Sequence, residues 1–171
     1  MQAVRVWIPG GDAGTYATLD HMVRLAREAR GLPIVRDTAL TLTTHAADPL
    51  QQIAAIRDWL ALTVEFTRDP TGVELLHSPR YLLSVLRQAG APLRIDCDDV
   101  AVLGAALGGN LGLRARYVTV GFFSPNAPFR HVWTDLAPPH GTPWVELDIT
   151  RDAQPLPVLA AVRRRKIIGV F

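Results

Sequence analysis

The single cysteine of this 171-residue chain, Cys97, lies in the run Arg94-Ile95-Asp96-Cys97-Asp98-Asp99-Val100. Two later segments answer it: His131-Val132-Trp133 and Trp144-Val145-Glu146-Leu147-Asp148. A thiol, an imidazole and a carboxylate in that chain order are the parts of an acyl-transfer centre. The thiolate attacks a carbonyl, the imidazole takes and returns a proton, and the carboxylate orients the imidazole. A free cysteine is most often a small buried hydrophobe, but the charged run Asp-Cys-Asp-Asp is a poor core sequence. His131 alone suits a hydrogen-bonded structural role as well as a base. Asp148, set between Leu147 and Ile149, needs a partner, whether a cation, a helix N-terminus or His131.

The helix that starts at Cys97 would place the thiol among unpaired N–H groups at the positive end of the dipole, which favours a thiolate and an oxyanion. Asp96, Asp98 and Asp99 oppose this by like charge. The expected resolution is that the aspartates face away, capping the helix or pairing with Arg94, Arg114 or Arg116, while a His131 imidazolium tips the balance toward thiolate.

The elements that must position these groups follow from periodicity and caps. Leu19, Met22, Val23 and Ala26 predict a helix over 18–30, with Thr18 as N-cap, Gly31 as stop and Arg24, Arg27 and Arg30 on a solvated face. Asp48-Pro49 opens a second helix with the stripe Leu50, Ile53, Ile56, Leu60 and Val64. The segment from Phe66 to Gly72 reads as a turn or loop. Ser78-Pro79 opens a third helix with Tyr81, Leu82, Val85 and Leu86 facing inward. The central helix follows Cys97, with Val100, Leu103 and Leu107 buried and Ala101, Gly104, Ala105, Ala106 and Gly108 admitting close neighbours.

Beyond Gly112 the period changes to that of strands: Arg114 to Phe123, His131 to Leu136 and Trp144 to Ile149, an antiparallel meander. Adjacent strands would set His131 opposite Asp148. A short strand over Val4–Ile8, broken by Pro9, and a basic run Arg163-Arg164-Arg165-Lys166, read as a solvated segment, complete the chain. The apolar residues Ile167 to Phe171 suit an added edge strand or a docking segment. The whole is an α+β domain, a helical N-terminal half packed on a small antiparallel sheet.

Composition is that of a globular chain, 49% hydrophobic and 20% charged, with a net charge of +2, too small to imply nucleic acid. One cysteine forms no internal disulfide, and no apolar run approaches the ~20 residues that span a bilayer. The chain is read as one domain (1–171, core about 48–150, with an N-terminal helical extension), with no membrane partner and a cytoplasmic location. A metal site from Cys97, His131 and an aspartate lacks close ligand spacing, so no metal is expected.

Three stretches together resemble the transglutaminase-like superfamily. These are Asp96-Cys97-Asp98-Asp99 leading into a small-residue helix and Leu111-Gly112-Leu113-Arg114-Ala115-Arg116-Tyr117-Val118, then His131-Val132-Trp133, then Trp144 to Thr150. The segment Phe66 to Tyr81 looks like the one preceding the cysteine helix in small bacterial and phage-encoded members. The resemblance implies a papain-like α+β fold, with Cys97 as nucleophile, His131 as general base and acid, and Asp148 orienting His131. It implies attack on an amide carbonyl of a protein or peptide, a thioester intermediate, and release to water or an amine, without an organic cofactor. The calcium dependence of large animal transglutaminases belongs to regions this chain lacks. Many members carry glycine where this chain has Ile95, and the side-chain oxyanion donor is left among Trp59, Tyr81 and Gln88. The loop from Phe122 to Phe129 is either a cleft wall or a rigid hairpin turn. An alternative reading is a non-enzymatic phage or bacterial assembly protein that kept the fold and docks a partner through its C-terminal residues. As a phage protein it would be virion-associated.

Overall fold

A computed structural model describes residues 10–70, 73–151, 153, 156–157 and 159–171. The expected strand over Val4–Ile8 and the turn residues Thr71 and Gly72 lie outside the described residues. In chain order the elements are α1 (Gly11–Glu28), α2 (Pro33–Leu42), α3 (Pro49–Thr63), β1 (Val64–Phe66), α4 (Pro79–Ala89), β2 (Leu93–Ile95), α5 (Cys97–Asn110), β3 (Arg114–Phe122), β4 (His131–Ala137), β5 (Val145–Leu147), a 3₁₀ turn (Leu159–Ala161) and β6 (Val162–Gly169).

Helix α5 is the centre. Asp98 to Gly109 are all buried, so it lacks the polar face of a surface helix. It packs on α1, α2, α3 and α4 on one side and on β3 and β4 on the other. Its glycines let neighbours in: a Cβ at Gly104 would lie 2.6 Å from Leu147, and one at Gly108 2.7 Å from Leu136. Ala101 is also a hydrogen-bonding point, its carbonyl accepting from Thr134 Oγ1 at 2.6 Å.

The helix starts at 49 and 79 are those the caps predict. Asp48 accepts from the N–H groups of Leu50 and Gln51, both at 2.9 Å, and Ser78 accepts from Tyr81 N–H at 3.3 Å. Gly90 ends α4 in the left-handed region at φ 58°. Helix α1 starts seven residues before Thr18, from Gly10 as N-cap, so Gly10-Gly11 is the entry to the helix. Helix α2, opened by Leu32-Pro33, had no counterpart in the sequence reading. Of the expected inner residues of α4, Leu82 is buried and Val85 and Leu86 pack on the core, while Tyr81 is 40% exposed and Leu83 is buried in its place.

The sheet has the order β5-β4-β3-β6, and a separate two-stranded parallel sheet joins β1 to β2. The meander β3-β4-β5 is antiparallel as expected. The basic run is strand β6, antiparallel to β3. It is not simply solvated: Arg164 pairs with Asp12 of α1 at 2.5 Å, and Lys166 lies over Tyr16. The basic face of α1 is likewise engaged. Arg27 donates to the Val170 carbonyl at 2.8 Å and Arg30 sits over Phe171. Val170 is fully buried. Helix α1 shares the main core through Leu19, Met22 and Ala26. Among the described residues no helix is long and apolar enough to cross a membrane.

Candidate active site

Strand β2 delivers Cys97 to the first turn of α5, and β4 opens with His131, so the thiol and the imidazole lie on the wall of one cleft of about 820 Å³. The N–H of Val132, the residue after His131, lies close enough to the Cys97 sulfur to favour its thiolate. Behind the cleft wall, His131 Nε2 meets Asp148 Oδ2 at 2.7 Å, the imidazole 1% and the carboxylate 0% exposed. The imidazole also packs against the Trp133 ring at 5.8 Å.

The expected face-to-face strand pairing of His131 with Asp148 does not occur. Pairing of β4 with β5 ends at Thr134 with Leu147, and Asp148 lies one residue past the strand. There its Oδ1 accepts from the N–H groups of Thr150 and Arg151, each at 3.2 Å. Arg151 Nη2 reaches Oδ2 at 2.8 Å. Burial alone would raise the Asp148 carboxyl. The hydrogen bond from His131 and the charges of His131 and Arg151 outweigh it and hold the carboxyl below its ordinary value. Leaving the strand is what lets one carboxylate serve an imidazole, a guanidinium and a turn at once.

The thiol is in the opposite condition. Burial, then the Asp96 charge, pushes Cys97 up to about 12, with Glu74 and Asp148 adding to the rise and only the Val132 N–H opposing it among the leading contributions. Desolvation outweighs the helix dipole here, so the expected tilt toward thiolate is reversed in the resting site.

Asp96 and Asp98 line the cleft and only Asp99 is turned elsewhere, to His77, and none of the three pairs with the expected arginines. Arg94 bonds Glu65 at 3.2 Å, Arg116 bonds Asp135 at 2.8 Å, and Arg114 donates to the carbonyls of Pro138 and Gly141. Asp98 and Asp99 are 3% and 2% exposed. Asp99 accepts from His77 twice, from the backbone N–H at 2.7 Å and at Nδ1 at 2.6 Å, and His77 stacks on Tyr81. Asp98 Oδ1 accepts from the Asp99 N–H at 2.7 Å. Burial, then a hydrogen bond with Asp96, drives Asp98 well above the carboxylate range. Buried Asp96 Oδ1 and Asp98 Oδ2 meet no donor from any other residue. Oxygens of Asp96, Asp98 and Asp99 lie within 4.8 Å of one another, an all-carboxylate set that excludes Cys97 and His131.

The other cleft walls come from the N-terminal half of α1 (Gly11, Gly14, Thr15, Thr18), from Phe66, Arg68 and Glu74, and from the Phe122–Phe129 loop. That loop is a cleft wall, with Phe123 74% exposed. Phe123 has a left-handed φ of 69°, held by its N–H donating to Ala161 O at 2.8 Å. Trp59, Tyr81 and Gln88 do not line the cleft. Sequence reasoning missed His77, Glu74 and Arg151. The available signal was that an aspartate within an apolar strand requires a partner, and Arg151 stands three residues from Asp148; His77, 22 residues from Asp99, had no such signal.

A helical layer holding a cysteine at the N-terminus of its central helix, against an antiparallel sheet that starts a strand with histidine, defines a papain-like α+β protein. Residues 36–149 match the model of the transglutaminase-like superfamily, and the chain belongs to that superfamily. The crystal structure of a candidate cysteine protease from Cytophaga hutchinsonii has a similar fold, with a TM-score of 0.52 and 22% identity. The similarity covers 79% of this chain but 46% of that one, so the chain spans about half the length of that protein. No curated protein matches the chain significantly.

Proposed function

We propose that the chain is a thiol-dependent amide hydrolase of protease type, acting on a protein or peptide through a thioester on Cys97. The observation that carries this reading is the buried 2.7 Å bond between His131 and Asp148, set behind a cleft whose wall also presents Cys97. With Nε2 held by Asp148, Nδ1 is the ring nitrogen that exchanges a proton with the thiol. A thiol pushed up to about 12 is protonated at rest, so His131 removes the proton as the sulfur attacks. The tetrahedral oxyanion then lies near the first N–H groups of α5, those of Cys97 and Asp98, since that of Asp99 donates to the Asp98 carboxyl. Protonated His131 gives its proton to the leaving amine, and water or an acceptor amine resolves the thioester.

The test uses p-nitrophenyl acetate, an acyl donor that needs no substrate recognition. The expected result is a burst of p-nitrophenolate and an acetyl adduct on Cys97 in intact-protein mass spectra, removable by hydroxylamine. Cys97→Ala is expected to show neither, and His131→Ala a much slower burst. A wild-type protein that is no more acylated than Cys97→Ala would end this reading.

A further inference from the structure

We infer that Arg164 of β6 clasps two walls of the cleft together and so limits the size of acyl donor that reaches Cys97. The inference rests on the thiol-hydrolase reading above and adds a specificity-determining residue to it.

One guanidinium spans both walls. Arg164 Nη1 and Nη2 donate to Asp12 Oδ1 and Oδ2 at 2.8 and 2.5 Å. Asp12 stands in the first turn of α1 beside Gly11, a residue of the cleft wall. Nη1 also donates to the Ala127 carbonyl at 3.0 Å, and the guanidinium lies 4.1 Å from the Phe129 centroid. Ala127 and Phe129 belong to the wall made by the Phe122–Phe129 loop. Only arginine's planar fork grips a carboxylate at two points while keeping a face for a ring.

The two walls differ in what else holds them. The loop is fixed without Arg164. The N–H of Arg130 donates to Val120 O at 2.9 Å, and a Cβ at Gly121 would lie 2.9 Å from the carbonyl oxygens of Ala127 and Pro128. The start of α1 has less to hold it. Its N-cap, Gly10, offers no side chain to the first N–H groups, and Gly14 is its only buried residue before Leu19. From Leu19 onward the helix is anchored by Met22 and Ala26 in the core and by Arg27 on the Val170 carbonyl at 2.8 Å. Its first turns lean on β6, on Arg164 through Asp12 and on Lys166 over the Tyr16 ring at 5.7 Å. An exposed ionic hold of this kind adds little stability. It is enough to bias the position of one wall by a few-fold, and salt weakens it.

The experiment reads the width at the thiol itself. N-ethylmaleimide and N-(1-pyrenyl)maleimide carry one reactive group on a small and a large substituent, and each rate on Cys97 is normalised to a small free thiol. Arg164→Gln and Asp12→Asn should each raise the pyrenyl-to-ethyl ratio about fivefold. The double variant should raise it no further, because both changes remove the same clasp. Salt at about 1 M should raise the ratio in wild type but not in the double variant. Arg27→Gln frees the other end of α1 and should lower the thermal midpoint with the ratio unchanged. A ratio unmoved by Arg164→Gln and Asp12→Asn, or moved as far by Arg27→Gln, would overturn the inference.

The same variant connects width to acyl transfer. In Arg164→Gln, p-nitrophenyl diphenylacetate should acylate Cys97 about fivefold faster than in wild type, with the p-nitrophenyl acetate burst unchanged. A diphenylacetate rate that stays at the wild-type value while acetate still acylates would overturn the role in donor size. If neither ester acylates Cys97, the hydrolase reading fails, and the maleimide ratio still decides whether Arg164 sets the width.

Discussion

At the residue scale the site turns on a thiol held back by burial and a carboxylate held ionised by its partners. With Cys97 pushed up to about 12, the thiolate fraction should climb about tenfold per pH unit. Iodoacetamide labelling of Cys97 is therefore expected to rise with that slope between about pH 7 and 10, without a plateau. A neutral plateau that disappears in His131→Ala would instead indicate a preformed imidazolium–thiolate pair and remove the general-base step. In the proposed mechanism Asp148 acts through His131, and Asp148→Asn keeps the shape but loses the carboxylate charge. It should slow acylation by about 10²–10⁴-fold while leaving the thermal midpoint within a few degrees. A loss of fold in parallel with the rate would mean that the bond is structural only. The three residues were legible in the sequence because each type is uncommon in its setting. Their partners were not: His77 meets Asp99 across 22 positions, and no local pattern encodes that.

At the element scale, legibility followed how local the cause was. Asp48-Pro49, Ser78-Pro79 and Gly90 act within one turn, and α3 and α4 start or stop where those residues say. Strands β1 and β2 are three residues each and exist by parallel pairing across the intervening α4, so neither has a signature of its own. The small residues of α5 were legible as a demand for close packing but not as to which neighbour fills each gap. Gly108 is one such gap. A Cβ there meets Leu136 Cδ2, Cδ1 and Cγ at 2.7, 3.0 and 3.4 Å, and Leu136 is fully buried, so the side chain cannot swing aside. Gly108→Ala should gain about 1 kcal/mol of helix propensity and lose more to overpacking, typically about 1–3 kcal/mol. A lowered urea midpoint with unchanged slope is expected. A raised midpoint would show that β4 yields to α5 and that the close approach is not needed.

Across the whole molecule, buried acids near Cys97 set how stability varies with pH. Asp69 is pushed up to about 6, mainly by burial. Asp98 and Asp99 are raised, first by burial, and His77 is raised by its bond to Asp99. A raised folded-state value means stabilisation that is full below the unfolded value, about 3.9 for Asp and 6.5 for His, and lost as pH rises through the folded one. Asp148 has the opposite sign: its lowered value stabilises above about pH 4 and is lost on further acidification. Both sets act together only between these limits. The thermal midpoint should peak near about pH 5 and fall by about 5 °C by pH 8. Asp98→Asn keeps the shape and removes the group that must either hold a proton or be buried as an anion. It should raise the midpoint at pH 8, change it little at pH 5, and so flatten the curve. A wild-type curve that is flat from pH 5 to 8, or one whose maximum lies at pH 8, would refute this assignment. It would mean that the aspartates around Cys97 are compensated in solution by a cation, and an EDTA titration at pH 8 would then reveal that cation as a further loss of stability.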